Sequence, residues 1–366
     1  MKFFVKYEFL PLIVILITGC SLFEDDGPKD PRDYTWTIDT LYYETSLATN
    51  MEKIWGSAWN DMYAVGNSGA QPGIMWHFDG AEWSPYPFYT ASWGSIAKPL
   101  DLNNIFGIGK DDFWVVGEEW IRSDSIQNYS TGFVAQYKGE YWGWEDHSSA
   151  LEDFEHVYGI GGSSSQDMWV GGSGGRIYRY NGQSWQKDSV AVLISDATYS
   201  KVYEIAINEQ YTNYAILHNP RWNSDIRSHY LKNTTDGNWI EIKTLENQGI
   251  GNLWYSENGN IFAAGNQTLW KIQNEEWISI GNFPQNEKIS YVNGISENHF
   301  FAAGSIYEKS FKGQLYFYNG KSLTQLLDKF DLKNMYFRDI WSDKENVFIL
   351  GNTLGFPSKT IIIRGR

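Results

Sequence analysis

Short segments in which apolar and polar residues alternate recur along most of the chain, separated by polar turns. The clearest copy of this repeat, residues 156–185, holds an apolar segment, a polar turn, an aromatic and aliphatic segment ending in Gly172, an alternating segment, Asn-Gly and a tryptophan. Alternation with a period of two predicts β-strands, and Asn-Gly or Asp-Gly turns predict hairpins between them. Each copy therefore predicts four short antiparallel strands.

Seven copies of the repeat can be aligned on the last residue of their second segment. Successive copies lie about 40 to 55 residues apart, and the copy in residues 201–248 is the most degenerate. The aligned residues are Gly66, Gly117, Gly172, Leu217, Gly265, Gly304 and Gly351. A tryptophan follows the last turn of most copies. These tryptophans are Trp83, Trp142, Trp185, Trp239 and Trp277, with Leu323 in the sixth copy.

Such a repeat predicts a ring of stacked sheets. A four-stranded sheet cannot cover both of its own faces, so neighbouring sheets must stack, and radial stacking gives a β-propeller. The seventh copy ends after residues 360–364 without a turn-tryptophan strand, whereas residues 34–41 alternate like a strand and carry Trp36. We therefore predict an all-β, seven-bladed β-propeller over residues 34–366, closed by its N-terminal strand. Six or eight blades and a linear β-solenoid are the alternatives.

The repeat resembles those of bacterial propellers of the two-component-regulator, BNR-like and kelch-like kinds, which carry a Trp-Val-Gly step followed by an Asp-Gly-x-Trp step. The matching residues are MWVGG ending at Gly172 and DGNW ending at Trp239, and the resemblance covers about 330 residues. It implies the propeller fold strongly and the function weakly, since such propellers serve as lectins, scaffolds, sensors and enzymes.

The first residues resemble a bacterial lipoprotein signal. Lys2 and Lys6 precede an apolar run, residues 9–17, which is too short to cross about 30 Å of hydrocarbon as a helix. The run leads into Leu-Ile-Thr-Gly-Cys, which is similar to a lipobox, and Cys20 is the single cysteine of the chain. The resemblance implies that residues 1–19 are a signal peptide, that Cys20 carries the lipid that holds the protein on a membrane, and that residues 20–33 are a flexible tether.

Ser21 and the acidic cluster Glu24-Asp25-Asp26 follow the cysteine directly. A residue other than Asp after Cys20 resembles the sorting signal for the bacterial outer membrane, and the acidic cluster resembles the surface-export signal of Bacteroidetes-type lipoproteins. A solvated linker explains the acidic cluster equally well, so periplasmic and outward-facing orientations both stay open.

Charge and motif content exclude several classes of partner. The chain has 44 acidic and 29 basic residues and a net charge of -15, which repels phosphate backbones, so we expect no nucleic-acid partner. Dinucleotide and P-loop fingerprints are missing, and we expect no cofactor. His147 and His156 flank acidic residues without the spacing that sets ligand geometry, so we expect no metal site. A monomeric propeller is the expected state.

Long aromatic loops are predicted on one face of the propeller, called the top face here. It is formed by the loops between the second and third strands of each blade and by the connections between blades. Aromatic side chains and nearby arginines there are typical of a binding surface for a glycan or a protein. The candidate ligand-binding residues are Trp93, Trp120, Arg122, Tyr129, Arg221, Trp222 and Tyr307. We expect a non-catalytic binding or scaffolding module, with a glycan hydrolase or lyase that uses top-face carboxylates as the alternative.

Overall fold

The strands of the chain form seven separate sheets. The computed structural model describes residues 28–69, 74–87, 99–121, 129–139, 143–151, 156–188, 190–191, 200–208, 212–220, 226–234, 237–246, 249–265, 267–328 and 330–366. Two 3-10 segments, Pro31–Asp33 and Ser148–Leu151, are the helical elements in these residues. Within the same ranges, no helix has the length and apolar character needed to cross a membrane.

The first strand, β1 (Trp36–Leu41), precedes the first complete blade. Blade 1 consists of β2 (Thr49–Ala58), β3 (Asp61–Ser68), β4 (Met75–Phe78) and β5 (Trp83–Pro85). Blade 2 consists of β6 (Leu100–Gly109), β7 (Asp112–Ile121), β8 (Tyr129–Tyr137) and β9 (Trp144–Asp146). Blade 3 consists of β10 (Val157–Ser164), β11 (Asp167–Gly172), β12 (Ile177–Tyr180) and β13 (Trp185–Lys187).

Blade 4 has five strands, β14 (Val190–Ala191), β15 (Lys201–Ala206), β16 (Tyr214–Pro220), β17 (Ile226–Asn233) and β18 (Trp239–Glu246). Blade 5 consists of β19 (Ile250–Tyr255), β20 (Ile261–Gly265), β21 (Thr268–Gln273) and β22 (Glu276–Asn282). Blade 6 consists of β23 (Glu287–Ser296), β24 (His299–Tyr307), β25 (Phe311–Tyr318) and β26 (Leu323–Leu326). Blade 7 consists of β27 (Met335–Ser342), β28 (Val347–Thr353) and β29 (Thr360–Gly365), with β1 as its outer strand.

The predicted seven-bladed, all-β propeller is confirmed. The inner strand of each blade, which lines the central channel, contacts the inner strands of both neighbouring blades, and β27 of blade 7 contacts β2 of blade 1. Strand β1 pairs antiparallel with β29, with Trp36 opposite Gly365 and Leu41 opposite Thr360. The two ends of the described chain thus share one sheet, which excludes the linear solenoid.

The closing seam between blades 7 and 1 is apolar with a buried polar core. Leu41, Met51 and Ile362 belong to one buried cluster that spans both blades. Thr360 Oγ1 accepts a hydrogen bond from the backbone N–H of Met51 at 2.8 Å, and Asn352 Nδ2 donates to the carbonyl of Met51 at 2.9 Å. Since a buried polar group without a partner destabilises the fold, these bonds fix the seam in one arrangement.

A β-bulge in every inner strand explains the glycine that ends the second segment of the repeat. The register shifts directly after Met51, Leu102, Val157, Val202, Ile250, Ile289 and Phe337. Each of these residues lies opposite one of the aligned repeat residues. A Cβ on Gly66, Gly117 or Gly304 would collide with a backbone carbonyl of the bulged strand. Glycine is therefore required there for close approach of the two backbones.

The structure corrects two details of the sequence prediction. The outer strand of blade 2 begins at Trp144, which pairs with Tyr137, so the repeat tryptophan is Trp144 and not Trp142. Tyr307, which was predicted to lie in a top-face loop, is the last residue of strand β24 and pairs with Phe311 of β25. In blade 2, β7 and β8 likewise continue as a paired hairpin as far as Ile121 and Tyr129. Backbone pairing extends these hairpins further toward the top face, and amino-acid composition alone does not predict such pairing.

Replacing Leu41 by Ala tests the closing strand. Leu41 is 1% exposed in the seam between blades 7 and 1, and its truncation leaves a cavity. We expect a loss of about 2–5 kcal/mol in the free energy of unfolding, measured by urea denaturation. Ile38 lies on the same strand but is 46% exposed, so Ile38→Ala should change stability by less than about 0.5 kcal/mol. Equal stability of both variants would show that β1 does not close the ring in solution.

Candidate functional site: two clefts on the top face

The bulges direct one extra residue of each inner strand toward the mouth of the central channel. An inserted residue re-aims side chains that a regular strand would alternate between its two faces. The inserted residues are Glu52, Asn103, Tyr158, Tyr203, Gly251, Ser290 and Arg338. Most of them line one of two clefts on the top face, and Arg338 lines both clefts.

The first cleft, called the polar cleft, has a volume of about 400 Å³. It is lined by Asn50, Glu52, Lys53, Asn67, Asp101, Leu102, Asn103, Asn104, Glu118, Tyr158, Tyr203 and Arg338. Several of its polar groups bind one another. Asn103 Nδ2 donates to Glu118 Oε2 at 2.6 Å and to the carbonyl of Val157 at 2.9 Å, and Glu52 forms an ion pair with Arg338. The polar cleft is thus an ordered hydrogen-bonding surface.

A ladder of aromatic rings forms one wall of the polar cleft. The rings of His156 and Tyr158 stack at 5.8 Å between centroids, those of Tyr158 and Tyr203 at 6.3 Å, and those of Tyr203 and His218 at 5.1 Å. Lys201 Nζ lies 4.6 Å from the centroid of the Tyr158 ring. Burial lowers the pKa of His218 to about 4, and its Nε2 donates to the carbonyl of Ile250. Tyr158 and Tyr203 line the cleft, and the neutral imidazole of His218 stacks against the Tyr203 ring.

A buried charge cluster lies at the floor of the polar cleft. Lys53 Nζ is 3.4 Å from Glu204 Oε2, across the channel, and 3.7 Å from Asp339 Oδ1 in the adjacent blade. Asp339 Oδ2 also accepts the backbone N–H of Ile54. Burial would lower the pKa of Lys53, but the two carboxylates raise it above its usual range. The cluster joins three blades at the axis of the ring.

The two carboxyl groups share a single cation, and this raises the cost of ionising both. Burial raises the pKa of Glu204 to about 7 and raises the pKa of Asp339, although Lys53 opposes each shift. Near neutral pH, Glu204 therefore exchanges a proton while Lys53 stays charged. The hydrogen bond from Lys53 Nζ holds the Glu204 carboxyl group in place.

The second cleft, called the aromatic cleft, lies between blades 6 and 7 and has a volume of about 450 Å³. The ring centroids of Tyr307 and Phe311 are 5.0 Å apart, and those of Phe311 and Tyr336 are 6.3 Å apart. The guanidinium of Arg338 lies 5.7 Å from the centroid of the Tyr336 ring. Lys288 completes the lining, and no carboxylate in the described ranges pairs with it. The cleft combines aromatic faces with two cations.

The predicted site residues fall into two groups. Trp93, Arg122, Arg221 and Trp222 lie outside the described residues, as does Cys20. The described residues Trp120, Tyr129 and Tyr307 are 43%, 55% and 56% exposed on the top face. Tyr307 lines the aromatic cleft, and Trp120 Nε1 donates to Asp101 Oδ2, which lines the polar cleft, at 2.8 Å. Tyr129 lies on the blade 2 hairpin opposite Ile121.

Sequence reasoning missed the inner-strand residues that line both clefts. Glu52, Tyr158, Tyr203 and Arg338 lie one position after the apolar residue that starts the bulge. Polar and aromatic residues at that recurring position were the available signal. Their convergence depends on the bulge and on ring closure, which bring together positions far apart in the chain.

Chemically, the top face offers hydrogen-bonding and aromatic surfaces. Among the described residues, no group of three His, Cys, Asp or Glu side chains could hold a metal ion. His147 packs against Trp114, with ring centroids 4.8 Å apart, and burial lowers its pKa. Most carboxylates of the polar cleft contact a partner, as Asp101 contacts Trp120 and Glu118 contacts Asn103.

The fold defines this protein as a seven-bladed β-propeller. No protein-family model matches the chain, and no curated protein matches it significantly. Solved propellers are similar in fold. YCF48 bound to a D1 peptide shares 15% identity at a TM-score of 0.59, covering 92% of this chain and 98% of that chain. The extracellular domain of the putative hybrid two-component system BT3049 from B. thetaiotaomicron shares 14% identity at a TM-score of 0.55, covering 89% of this chain and 42% of that chain.

A sialidase from Trypanosoma rangeli in complex with the inhibitor DANA is also similar, with 8% identity, a TM-score of 0.51, and coverage of 90% of this chain and 59% of that chain. The chain thus spans less than half of the BT3049 chain and less than two thirds of the sialidase. Identities this low establish a shared fold, and a protein solved with a bound peptide and an enzyme share it.

Replacing Glu204 by Gln tests the buried charge cluster. A carboxyl whose pKa is about 7 when folded and about 4.5 when unfolded binds more protons in the folded state, so stability falls as pH rises through that window. The Glu204→Gln variant should lack this contribution, at most about 1.4 kcal/mol per pH unit. Urea unfolding at pH values from 4.5 to 7.5 measures the difference.

Glu276→Gln, which alters an exposed carboxylate on outer strand β22, is the matched control and should follow the wild type at every pH. Parallel pH profiles of the wild type and Glu204→Gln would show that folding does not raise the pKa of Glu204.

Proposed function

We propose that this protein is a lipid-anchored, non-catalytic binding propeller of the bacterial cell envelope, which holds a peptide segment of a partner protein in its aromatic cleft. The observation that carries the proposal is the cleft of about 450 Å³ between blades 6 and 7, in which exposed Tyr307 lies beside Phe311 and Tyr336. Exposed aromatic rings on a rigid scaffold provide contact area at low cost in conformational entropy.

The charges of the cleft favour a peptide over a neutral glycan. Lys288 and Arg338 line the cleft in a chain with a net charge of -15. A ligand with an apolar side chain and a nearby carboxylate would contact the rings and pair with Lys288, since Arg338 already pairs with Glu52, whereas a neutral sugar would leave Lys288 without a counter-charge. YCF48, which is similar in fold, has been solved with a bound peptide, and this supports the peptide hypothesis.

The competing hydrolase or lyase function would use the carboxylates of the polar cleft. The T. rangeli sialidase shows that an enzyme can share this fold. However, Glu52 pairs with Arg338, Glu118 accepts from Asn103, and Asp101 accepts from Trp120. A general acid or nucleophile needs a carboxyl group that can reach the substrate, so these contacts favour binding over turnover. Release of product from a polysaccharide, abolished by Glu118→Gln, would support the enzyme instead.

Replacing Tyr307 by Ala tests the aromatic cleft. We expect a phage-displayed peptide library to yield ligands that combine an aromatic or aliphatic residue with an acidic one. Removing the Tyr307 ring should weaken their binding by about tenfold, in the range of central interface aromatics. Fluorescence anisotropy with the selected peptides measures the change, and a glycan array tested in parallel checks the alternative ligand class.

Tyr129→Ala is the comparison variant, because Tyr129 is as exposed as Tyr307 but lies on the blade 2 hairpin, outside the aromatic cleft. Its peptide affinity should equal that of the wild type. A loss confined to Tyr129→Ala would move the site to blade 2. Glycan binding without peptide binding would contradict the proposed ligand class.

Replacing Cys20 by Ser tests the proposed anchor. A lipid on Cys20 requires its thiol, and several acyl chains hold a protein on a membrane almost permanently. We expect the wild type to incorporate an alkyne-labelled fatty acid and to sediment with membranes, and Cys20→Ser to do neither. Ser21→Ala keeps the thiol and should label like the wild type. Fatty-acid labelling of Cys20→Ser would contradict the assignment.

A further inference from the structure

The N-terminal segment meets the propeller on the face opposite the two clefts. Strand β1 runs from Trp36, opposite Gly365, to Leu41, opposite Thr360 at the top. Just before it, Asp30 interacts electrostatically with His299, and Tyr34 with Asp343. Those two partners flank the turns between the first and second strands of blades 6 and 7, which lie on the bottom face.

We propose that the bottom rim of blades 6 and 7 lies against the lipid surface of the anchoring membrane, and that both clefts face away from it. This orientation rests on the proposed function, because it uses the lipid on Cys20. The orientation also specifies the partner. It is a protein that approaches from the side opposite the anchoring membrane, and not a component of the same lipid leaflet.

The length of the tether supports this orientation. Eight residue steps separate Cys20 from Pro28, and even a fully extended chain spans at most about 29 Å over that length. The six residues of β1 already rise about 17 Å from the bottom rim to the top rim, and the top-face hairpins extend further. Turning the top face toward the membrane would therefore require a tether stretched over more than half of its full length, at a cost in chain entropy.

The charge around the chain entry is compatible with a lipid surface. Basic and acidic side chains occur there in nearly equal numbers, although the whole chain carries a net charge of -15. The basic residues are Lys29, Arg32, Lys321, Lys344, Arg364 and Arg366, and the acidic residues are Asp30, Asp33, Glu297, Asp343 and Glu345. A nearly neutral rim approaches anionic headgroups with little repulsion, unlike the chain as a whole.

A matched pair of labels on blade 6 tests the orientation. Lys309 lies in the turn between β24 and β25 at the top, and Lys321 lies in the turn between β25 and β26 at the bottom, and both are exposed. If the thiol of Cys20 is consumed by the lipid, Lys309→Cys and Lys321→Cys each carry one reactive thiol. The full-length lipidated variants are labelled with a donor dye and reconstituted in phosphatidylcholine vesicles that contain a rhodamine-headgroup lipid.

Energy transfer to the vesicle surface should be at least about twofold more efficient from position 321 than from position 309, because the labels differ in height by about the length of one strand. Modification of the unlabelled variants by a bulky maleimide should be slower in vesicles than in detergent for Lys321→Cys and unchanged for Lys309→Cys. Equal transfer from both positions, or stronger transfer from position 309, would overturn the proposal.

Two controls distinguish this failure from failure of the proposed function. Flotation of the vesicles shows whether the protein is anchored. If the wild-type chain does not float with the vesicles, both the proposed anchor and the proposed orientation are contradicted. Binding of the selected peptides to vesicles that carry the unlabelled wild type reports on the aromatic cleft independently, because a label at position 309 would lie beside Tyr307 and Phe311. Loss of peptide binding with the transfer difference retained contradicts only the ligand, and the reverse result contradicts only the orientation.

Discussion

Pairing of β1 with β29 is the constraint on which the rest of the structure depends. The pairing gives blade 7 its outer strand and covers the face that blade 1 presents, so no sheet of the ring is left half exposed. The polar cleft spans this seam, and Arg338, which also lines the aromatic cleft, pairs across the seam with Glu52. Glu52 and Lys53 of blade 1 meet Arg338 and Asp339 of blade 7 only because the ring is closed. The binding surface is therefore a product of ring closure as much as of any loop.

The same β-bulge recurs in the inner strand of every blade and positions the residues that line the two clefts of the top face. Each inner strand carries a bulge beside the aligned repeat residue of the second strand, which is glycine in six blades and Leu217 in blade 4. The bulge leaves the hydrogen-bonded scaffold intact on both sides and gives every blade except blade 5, where the inserted residue is Gly251, one side chain directed toward the channel mouth. Charged, amide and aromatic residues occupy that position in different blades, which makes the mouth of the channel asymmetric although the scaffold is nearly symmetric.

The sequence predicted architecture far better than it predicted the site. The period-two alternation, the aligned glycines and the tryptophan of residues 34–41 reflect local backbone requirements, which a single sequence displays directly. The clefts combine residues of several blades whose proximity is set by the ring, and no local pattern encodes it. Loop composition named Tyr307 as a candidate, and the structure places this exposed side chain in the aromatic cleft. Arg338 was missed because it lies within a strand.

Closure has a consequence for biogenesis. Trp36 and its partner Gly365 lie more than 300 residues apart in the sequence, so the contact that joins them carries a large loop-closure entropy and is expected to form late. Until then the nascent chain exposes unsatisfied strand edges that invite aggregation or proteolysis. A chain cut short by a few residues would never satisfy them. The closing strand pair thus makes the stability of the ring depend on both β1 and β29, because a polypeptide that lacks either strand cannot cover both edges.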